Sequence, residues 1–483
     1  MILSIYCGAH NGSVCVTNQG KIEYYAQEEN FTSLKHDKAV WCSLLDIDKK
    51  FKHFDKVILG SLSSDVDWVR LQSMFYHGLF NFTWNEIIYE NDVHHLHHAV
   101  LGFYHSGFDK AAVVVIDGHG IDGEAGTIIL AEKPGIFHHE VQLKCNHLPG
   151  LVSICKSAGY VYEHATIKIP DWNWYDAGKL MGLAQCYGYE EQVDEKWREY
   201  IVHAHSTHMK AQELALDLLE QAEDLSDNLV LSGGYFLNCV SNYKFLKMFP
   251  HHNIFVEPIG YDAGISIGQA WYYDPPKLKK QVDTIYYGPN DTNYDIIDNY
   301  ETYDTDYYEI AKLLEIGRPV AVFQGGIEAG PRALGNRSIL FNPTDSRDKI
   351  NELKGRENFR PLAGVIMEEY VHDWFDTAGL DKSPFMMYAM ECKKKKEIPG
   401  VLHYNGTSRI QTVNKNQNWH LYSLLEEYYG QTRIPILGNT SFNLAGKSIV
   451  MTLQQAIDTL ENSNIQYLWL PDIDRLMVWQ HQK

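Results

Sequence analysis

The segment VHHLHHAVLGF places His94 and His98 four residues apart, so on a helix both imidazoles project from one face. Two imidazoles at that spacing can bind one metal ion; the bland alternative is a histidine-rich helix at the surface or against a sheet. His95 stands where a zinc protease of the HExxH type needs glutamate, which removes that chemistry. Asp117 follows the apolar run Ala111 to Ile116 and opens the loop IDGHGIDGE, where its carboxylate could complete a two-histidine, one-carboxylate site. Asp262, in PIGYDAGISIGQA, is a second candidate, followed by a small-residue helix that permits close approach. Either aspartate alone reads equally well as a helix cap or turn residue. Together the four make a hard nitrogen and oxygen donor set, suited to iron(II), manganese or zinc.

Three glycine loops follow strands: CGAHNGS, IDGHGIDGE and LSGGYFLNC. Their backbone N–H groups, including that of Gly118, can cradle phosphates, although any one of them could be a plain turn. Farther along, GGIEAGPRALGNRS combines glycines with Arg332 and Arg337 and suggests anion binding.

These residues need strands and helices to hold them. The start, ILSIYCGAHNGSVCVTNQGKIEYYAQEE, reads as a β-meander carrying a loop at Gly8 to Ser13. Ala111 to Ile116 and Leu229 to Leu231 read as strands buried on both faces, with loops at their carboxyl ends. Helical patterns over Val93 to Phe103, Gly178 to Tyr187 and Ala211 to Ala222 alternate with them, which points to an α/β fold. No internal repeat is visible. The stretch DPPKLKKQVDTIYYGPN breaks both periodicities, and a chain of 483 residues exceeds one ordinary core. Two domains are therefore expected, 1–285 and 286–483, the second opening with a helix near Tyr307 to Glu315 and a strand over Pro319 to Phe323.

A net charge of -20 argues against a protein that coats nucleic acid through a broad basic face. The runs Lys393 to Lys396 and Lys277, Lys279, Lys280 read as solvated surface or a local basic groove. Eight scattered cysteines without a CxxC pair suggest reduced thiols in a cytoplasm. The apolar start turns polar at His10, too soon for a signal peptide or membrane span.

The blocks HHLHHA, IDGHG, GKLMGLAQCYG, LSGGYFLNCVSN, GPRALGNRSIL, GRENFRPLAG and GNTSFNLAGKSIV, in this order, resemble the carbamoyltransferase family of antibiotic-tailoring and nodulation enzymes. The resemblance spans nearly the whole chain. It implies an actin-like ATPase (Kae1-like) first domain and a YrdC-like α/β second domain. The second would make carbamoyl-adenylate from carbamoyl phosphate and ATP, and the first would pass the carbamoyl group to an acceptor hydroxyl. It also implies that His94, His98, Asp117 and Asp262 hold the divalent metal, with iron(II) favoured, and that Gly233, Gly234 and Asn238 line an adenosine pocket.

Bringing carbamoyl phosphate to ATP gathers negative charge, so the second domain needs cations and planar donors. Lys354, Arg356 and Arg360 supply three cations within seven positions, and Arg332 and Arg337 add two. Lys354-Gly-Arg356 and Ser441-Phe-Asn443 resemble the KxR and SxN pairs of YrdC-like ATP sites, and Arg409, Asn439 and Ser441 are further candidates for that pocket. In the first domain His10 is the candidate general base. Lys179 is a candidate for offsetting phosphate charge.

Several positions depart from the family pattern. Asn11 stands where an HDAS-like loop carries a carboxylate, Asn30 follows Glu28-Glu29, and Lys447 replaces an acid near the end. A competing reading is threonylcarbamoyl transfer in tRNA modification, against which stand the GPRALG and FRP blocks and the acidic balance. A third is a non-catalytic ATP-binding regulator. The resemblance implies a small-molecule or nucleoside hydroxyl as acceptor, on a sugar or natural product or on a hydroxymethylated pyrimidine of DNA, and no motif chooses among them. The resemblance suggests a homodimer and no membrane partner.

Overall fold

The computed structural model describes residues 1–8, 10–61, 66–90, 93–118, 124–144 and 157–479. The fold is mixed α/β, with three sheets among the described residues. The chain forms two compact units. The first comprises Met1–Leu180, His203–Ser241 and Met248–Val282, and the second Met181–Val202, Asn242–Lys247 and Asp283–Lys483. Two segments that lie before the expected boundary thus cluster with the second unit.

In the first unit, strands β1 (Ile2–Tyr6), β2 (Ser13–Asn18), β3 (Lys21–Gln27), β4 (His53–Gly60) and β5 (Thr83–Glu90) form a sheet of order β3-β2-β1-β4-β5. β1, β2 and β3 make the expected antiparallel meander, and β4 and β5 run parallel to β1. Strands β6 (Lys110–Ile116), β7 (Glu124–Glu132), β8 (Ile136–Lys144), β9 (Asn228–Ser232) and β10 (Asn253–Val256) form the second sheet, of order β10-β9-β6-β7-β8. Here too a meander of β6, β7 and β8 is extended by two parallel strands, β9 and β10. One strand plan is used twice, although the sequence shows no repeat: backbone pairing recurs while side chains do not. Leu3, Ile5, Val14, Val16, Val57 and Leu59 build the core on the first sheet.

The helix His94–Ser106 is buried along its whole length and ends at Gly107 in the left-handed conformation. It packs against the helix Ile265–Tyr273 so closely that a Cβ on Gly268 would meet the His97 carbonyl oxygen at 2.0 Å. Only glycine permits that approach, which brings the turn before the second helix to the histidine face of the first.

The second unit is built on one ten-stranded sheet. Its strands are β11 (Thr302–Asp304), β12 (Val320–Phe323), β13 (Arg337–Phe341), β14 (Ala363–Met367), β15 (Phe375–Asp376), β16 (Ala389–Cys392), β17 (Thr407–Val413), β18 (Ile436–Ser441), β19 (Tyr467–Leu470) and β20 (Arg475–Val478), in the order β11-β20-β19-β12-β13-β18-β14-β17-β16-β15. The pairs β12/β19 and β14/β17 are parallel and the rest antiparallel. The helices Tyr307–Glu315 and Trp419–Thr432 contribute to one apolar cluster, and the helix Leu453–Glu461 to another. None of the described cysteines is in a disulfide, and no described helix is long and apolar enough to cross a membrane.

Candidate metal centre and anion site

His94 and His98 project from one face of their helix, with ring centroids 4.7 Å apart and planes nearly perpendicular. Asp117 lies just past the end of β6, and Asp262 begins the turn that leads into the helix Ile265–Tyr273. The sequence separates these residues widely, yet the ligand atoms of all four lie within 4.8 Å of one another. His94 Nε2 is 3.0 Å from Asp117 Oδ2 and 3.6 Å from Asp262 Oδ1. His98 Nε2 is 3.5 Å from Asp117 Oδ2 and 3.7 Å from Asp262 Oδ1.

That arrangement fits a cation. Metal–donor bonds of about 2.1 Å put neighbouring donors roughly 3.0–3.4 Å apart in octahedral or tetrahedral coordination, close to these separations. His98 Nε2 and Asp262 Oδ1 are buried with no hydrogen-bond partner, a cost that coordination would remove. Burial pulls the His98 imidazole down, but the two carboxylates outweigh it and push the ring up to about 9. Burial raises Asp117, and the imidazoles of His94 and His98 more than reverse that, holding its carboxyl well below the usual range. The pocket is negative and draws a positive charge to its centre. The other two histidines of the helix serve elsewhere: His95 Nδ1 bonds Thr127 Oγ1 at 2.7 Å, and burial pulls both His95 and His97 down to about 3.

Around the cluster stand groups that the sequence did not single out. The Tyr6 hydroxyl, at the end of β1, donates to Asp262 Oδ2 at 2.8 Å and so turns Oδ1 toward the imidazoles. Glu163, on the helix Ala158–Thr166, is pushed up to about 8 by burial and by Asp117. Ser157 caps that helix and donates its hydroxyl to the Asp117 carbonyl at 2.9 Å. A single tyrosine or glutamate in a regular element carries no spacing signal, so neither was legible. His10 Nδ1 lies 2.8 Å from Asn11 Oδ1 and 3.6 Å from Asp262 Oδ2, and its ring meets Tyr175 edge-on at 5.8 Å. Burial lowers its pKa, and Asp262 and Asp117 raise it further than burial lowers it.

The Glu163 carboxylate occupies the space a side chain at Gly118 would need: a Cβ there would come 2.0 Å from Glu163 Oε1. Gly118→Ala is therefore expected to cost about 1–3 kcal/mol in denaturant unfolding, and Gly118→Ala with Glu163→Ala to recover most of it. Equal penalties with and without Glu163 would refute this contact as the cause.

The glycine loops divide. Residues 119–123 of IDGHGIDGE lie outside the described residues. Gly233 and Gly234 form the turn after β9, and the Gly234 N–H reaches Asp117 Oδ1 at 3.3 Å. Asn238 is turned inward: its Oδ1 accepts from the Ser241 N–H at 3.2 Å and its amide nitrogen lies 3.4 Å from the Tyr162 hydroxyl. Lys179 is not part of the metal cluster. It pairs with Asp176 at 3.0 Å and lies over the Trp172 ring, 5.6 Å from its centroid, so its charge is spent locally.

In the second unit the structure joins the two short motifs. Lys354 is 2% exposed, and its ammonium contacts the Ser441 carbonyl, Ser441 Oγ at 3.2 Å and Asn443 Oδ1 at 3.0 Å. Arg356 lies 3.4 Å from Thr440 Oγ1. Burial, then the neighbouring guanidiniums of Arg360, Arg409 and Arg332, hold Arg356 well below its ordinary value. Four guanidiniums brought this close call for an anion. Arg360 is also 3.5 Å from Glu357. A cavity of about 610 Å³ is lined by Lys354, Gly355, Leu444 and Ala445 together with Glu352 and Glu461, and none of the four arginines lines it.

Two candidates prove to be internal. Arg337 is fully buried, donates to the carbonyls of Gln324, Asn336 and Gly325, and stacks on Phe323 at 3.7 Å; it holds together the two ends of the loop spanning 324–336 instead of presenting a cation. Asn439 donates to the Ala333 carbonyl at 3.2 Å and Gln411 Oε1 at 3.0 Å, tying β18 to the same loop.

Comparison with known proteins adds a family likeness. Residues 204–271 match the family model for the carbamoyltransferase N-terminus, and residues 311–475 the model for the carbamoyltransferase C-terminus. Nodulation protein NolNO of Sinorhizobium fredii is 28% identical over 78% of this chain and 62% of that protein. Nodulation protein U of Rhizobium tropici is 32% identical over 53% of this chain and 45% of that protein. Among solved structures, the ROK hexokinase of Thermus thermophilus aligns with 55% of this chain and 96% of that one, at 13% identity and a TM-score of 0.33. Both the N-terminal and the C-terminal carbamoyltransferase models thus match this one polypeptide in order, and the chain is similar to carbamoyltransferases in both of its halves.

Proposed function

We propose that the protein is an ATP-dependent O-carbamoyltransferase. Its second unit makes carbamoyl-adenylate from carbamoyl phosphate and ATP, and its first transfers the carbamoyl group to an acceptor hydroxyl. The observation that carries this reading is the presence, in one chain similar to carbamoyltransferases in both of its halves, of a buried His94, His98, Asp117, Asp262 cluster and a distinct cluster of guanidiniums around Lys354. An actin-like, Kae1-like first unit is supported by its twice-used strand plan and by glycine turns after β1, β6 and β9. A YrdC-like second unit is supported by the contacts of Lys354 with Ser441 and Asn443.

In the second unit, water, carbamoyl phosphate and ATP give carbamoyl-adenylate, phosphate and pyrophosphate. Lys354 and Arg356, with Arg332, Arg360 and Arg409, hold the phosphate oxygens and offset their charge. In the first unit, a divalent cation on His94, His98, Asp117 and Asp262, iron(II) being our first choice, would polarise the carbamoyl oxygen and stabilise the charge that develops on it. Asn11 accepts from His10 Nδ1, so Nε2 is the basic nitrogen. His10 Nε2 takes the acceptor's proton as its oxygen bonds to the carbamoyl carbon, and AMP leaves. Gly118 and Gly233 offer backbone N–H groups to the departing phosphate.

His10→Ala is expected to slow transfer from preformed carbamoyl-adenylate by about 100- to 10,000-fold while leaving its formation unchanged; an unaltered transfer rate removes the base role. The whole reading is tested by supplying ATP, carbamoyl phosphate and iron(II) with either hydroxylated sugars or hydroxymethylcytosine DNA, and looking by mass spectrometry for the gain of one carbamoyl group. Dependence on threonine and bicarbonate in place of carbamoyl phosphate would overturn it. We further take the protein to be a cytoplasmic homodimer, which light scattering of the purified chain would check for its oligomeric state.

A further inference from the structure

The second unit contains a histidine that this reading leaves unused. His403 precedes β17 and is 5% exposed. Its Nδ1 lies 3.0 Å from Thr407 Oγ1. The Thr407 hydroxyl has a single hydrogen, and Asn405 Oδ1, which can only accept, takes it at 2.7 Å. Thr407 Oγ1 therefore accepts from His403 Nδ1, and His403 Nε2 presents a lone pair. That Nε2 is buried with no hydrogen-bond partner. Burial, with the guanidiniums of Arg409 and Arg347 nearby, pulls the ring down to about 3 and keeps it neutral.

The surroundings define what could meet that lone pair. Thr407 and Arg409 are two residues apart on β17 and share one face of the sheet, so the imidazole bonded to Thr407 lies along the face that carries the Arg409 guanidinium. Arg347 stacks 3.8 Å from the Tyr404 ring centroid, and its Nε lies 4.0 Å from Asp348 Oδ1. An unmet acceptor with the guanidiniums of Arg347 and Arg409 in its neighbourhood suits a ligand that brings anionic oxygens and an N–H together. Inorganic phosphate and acetyl phosphate bring only oxygens. Carbamoyl phosphate carries an amino group where acetyl phosphate carries a methyl.

We propose that His403 Nε2 accepts a hydrogen bond from the amino group of carbamoyl phosphate and so distinguishes it from acyl phosphates of the same shape. This rests on the reading of the second unit as the carbamoyl phosphate site. The test measures carbamoyl-phosphate-dependent ATP turnover, with acetyl phosphate and inorganic phosphate as competitors, in the full-length protein, His403→Phe and His403→Gln. His403→Phe is expected to raise the KM for carbamoyl phosphate about 10- to 100-fold, to leave the KM for ATP and the inhibition by inorganic phosphate unchanged, and to lose the preference over acetyl phosphate. His403→Gln, which keeps an acceptor, is expected to restore part of that preference. If folded His403→Phe and His403→Gln both discriminate as the unmodified protein does, the inference fails alone. If the unmodified protein shows no response to carbamoyl phosphate, the reading of the second unit fails and takes the inference with it.

Discussion

Asp262→Asn is expected to abolish metal retention and to reduce carbamoyl transfer by about 100- to 1,000-fold, while carbamoyl-adenylate formation continues. Asp262 is 1% exposed, with Oδ2 bound by the Tyr6 hydroxyl and Oδ1 facing both imidazoles without a hydrogen bond. Asparagine preserves the shape and the acceptor for Tyr6 but removes the charge a divalent ion needs. Burial and Asp117 raise the Asp262 carboxyl, but the imidazoles of His10, His94 and His98 more than reverse that and hold it below the usual range, so the metal-free variant should melt somewhat lower than the metal-free parent. Added iron(II) or manganese should then raise the melting temperature of the parent only, because a ligand stabilises the state that binds it. Elemental analysis and transfer from preformed carbamoyl-adenylate read the two effects. A variant that keeps its metal at the parent's stoichiometry would sink the assignment of Asp262 as a ligand.

Lys354→Met should give the opposite dissociation. Carbamoyl-phosphate-dependent release of pyrophosphate is expected to fall by about 100- to 1,000-fold, with transfer from preformed carbamoyl-adenylate unaffected. The Lys354 ammonium is aimed by the oxygens of Thr440, Ser441 and Asn443, which are uncharged. Lys354→Arg should not rescue, because a planar fork cannot replace a compact ammonium packed among those oxygens. Equal losses in both half-reactions would indicate general damage to the fold and defeat the assignment. The pair of variants thus separates the two chemistries on one chain.

How much of this was readable beforehand varies with the range of the interaction. The meander, the strand before Asp117 and the helix of His94 and His98 follow from local periodicity, and the structure holds them at Ile2–Gln27, Lys110–Ile116 and His94–Ser106. Helix spacing and a strand end make His94, His98 and Asp117 candidates, yet either aspartate alone reads as a cap or turn residue, and the full set of four comes from the family resemblance. Direction was not legible. Asn238 and Asn439 sit in suggestive motifs, yet both amides bond to neighbouring elements, and a loop asparagine reads the same whether it faces a ligand or the interior. Lys179 and Arg337 looked like cations for an anion, but one is engaged by Asp176 and the other by carbonyls within its own fold. The doubled strand plan left no trace because hydrogen-bond topology constrains only alternation and burial, which many sequences satisfy.

The chain's path between the two units bears on how the protein could ever be divided. A fragment ending at Val282 would carry Met181–Val202 and Asn242–Lys247 away from the unit they complete. Trp197 would lose its edge contact with Phe359, Asn242 its bond to the Met387 carbonyl, and Tyr243 its bond to the Asp376 carbonyl. The remaining fragment would in turn lack the segments that cover those partners. Each half would expose surface meant for burial and so tend to aggregate. Gene splitting, domain exchange or separate expression would need the two short inserts relocated first, so the threading itself ties both units to one continuous chain.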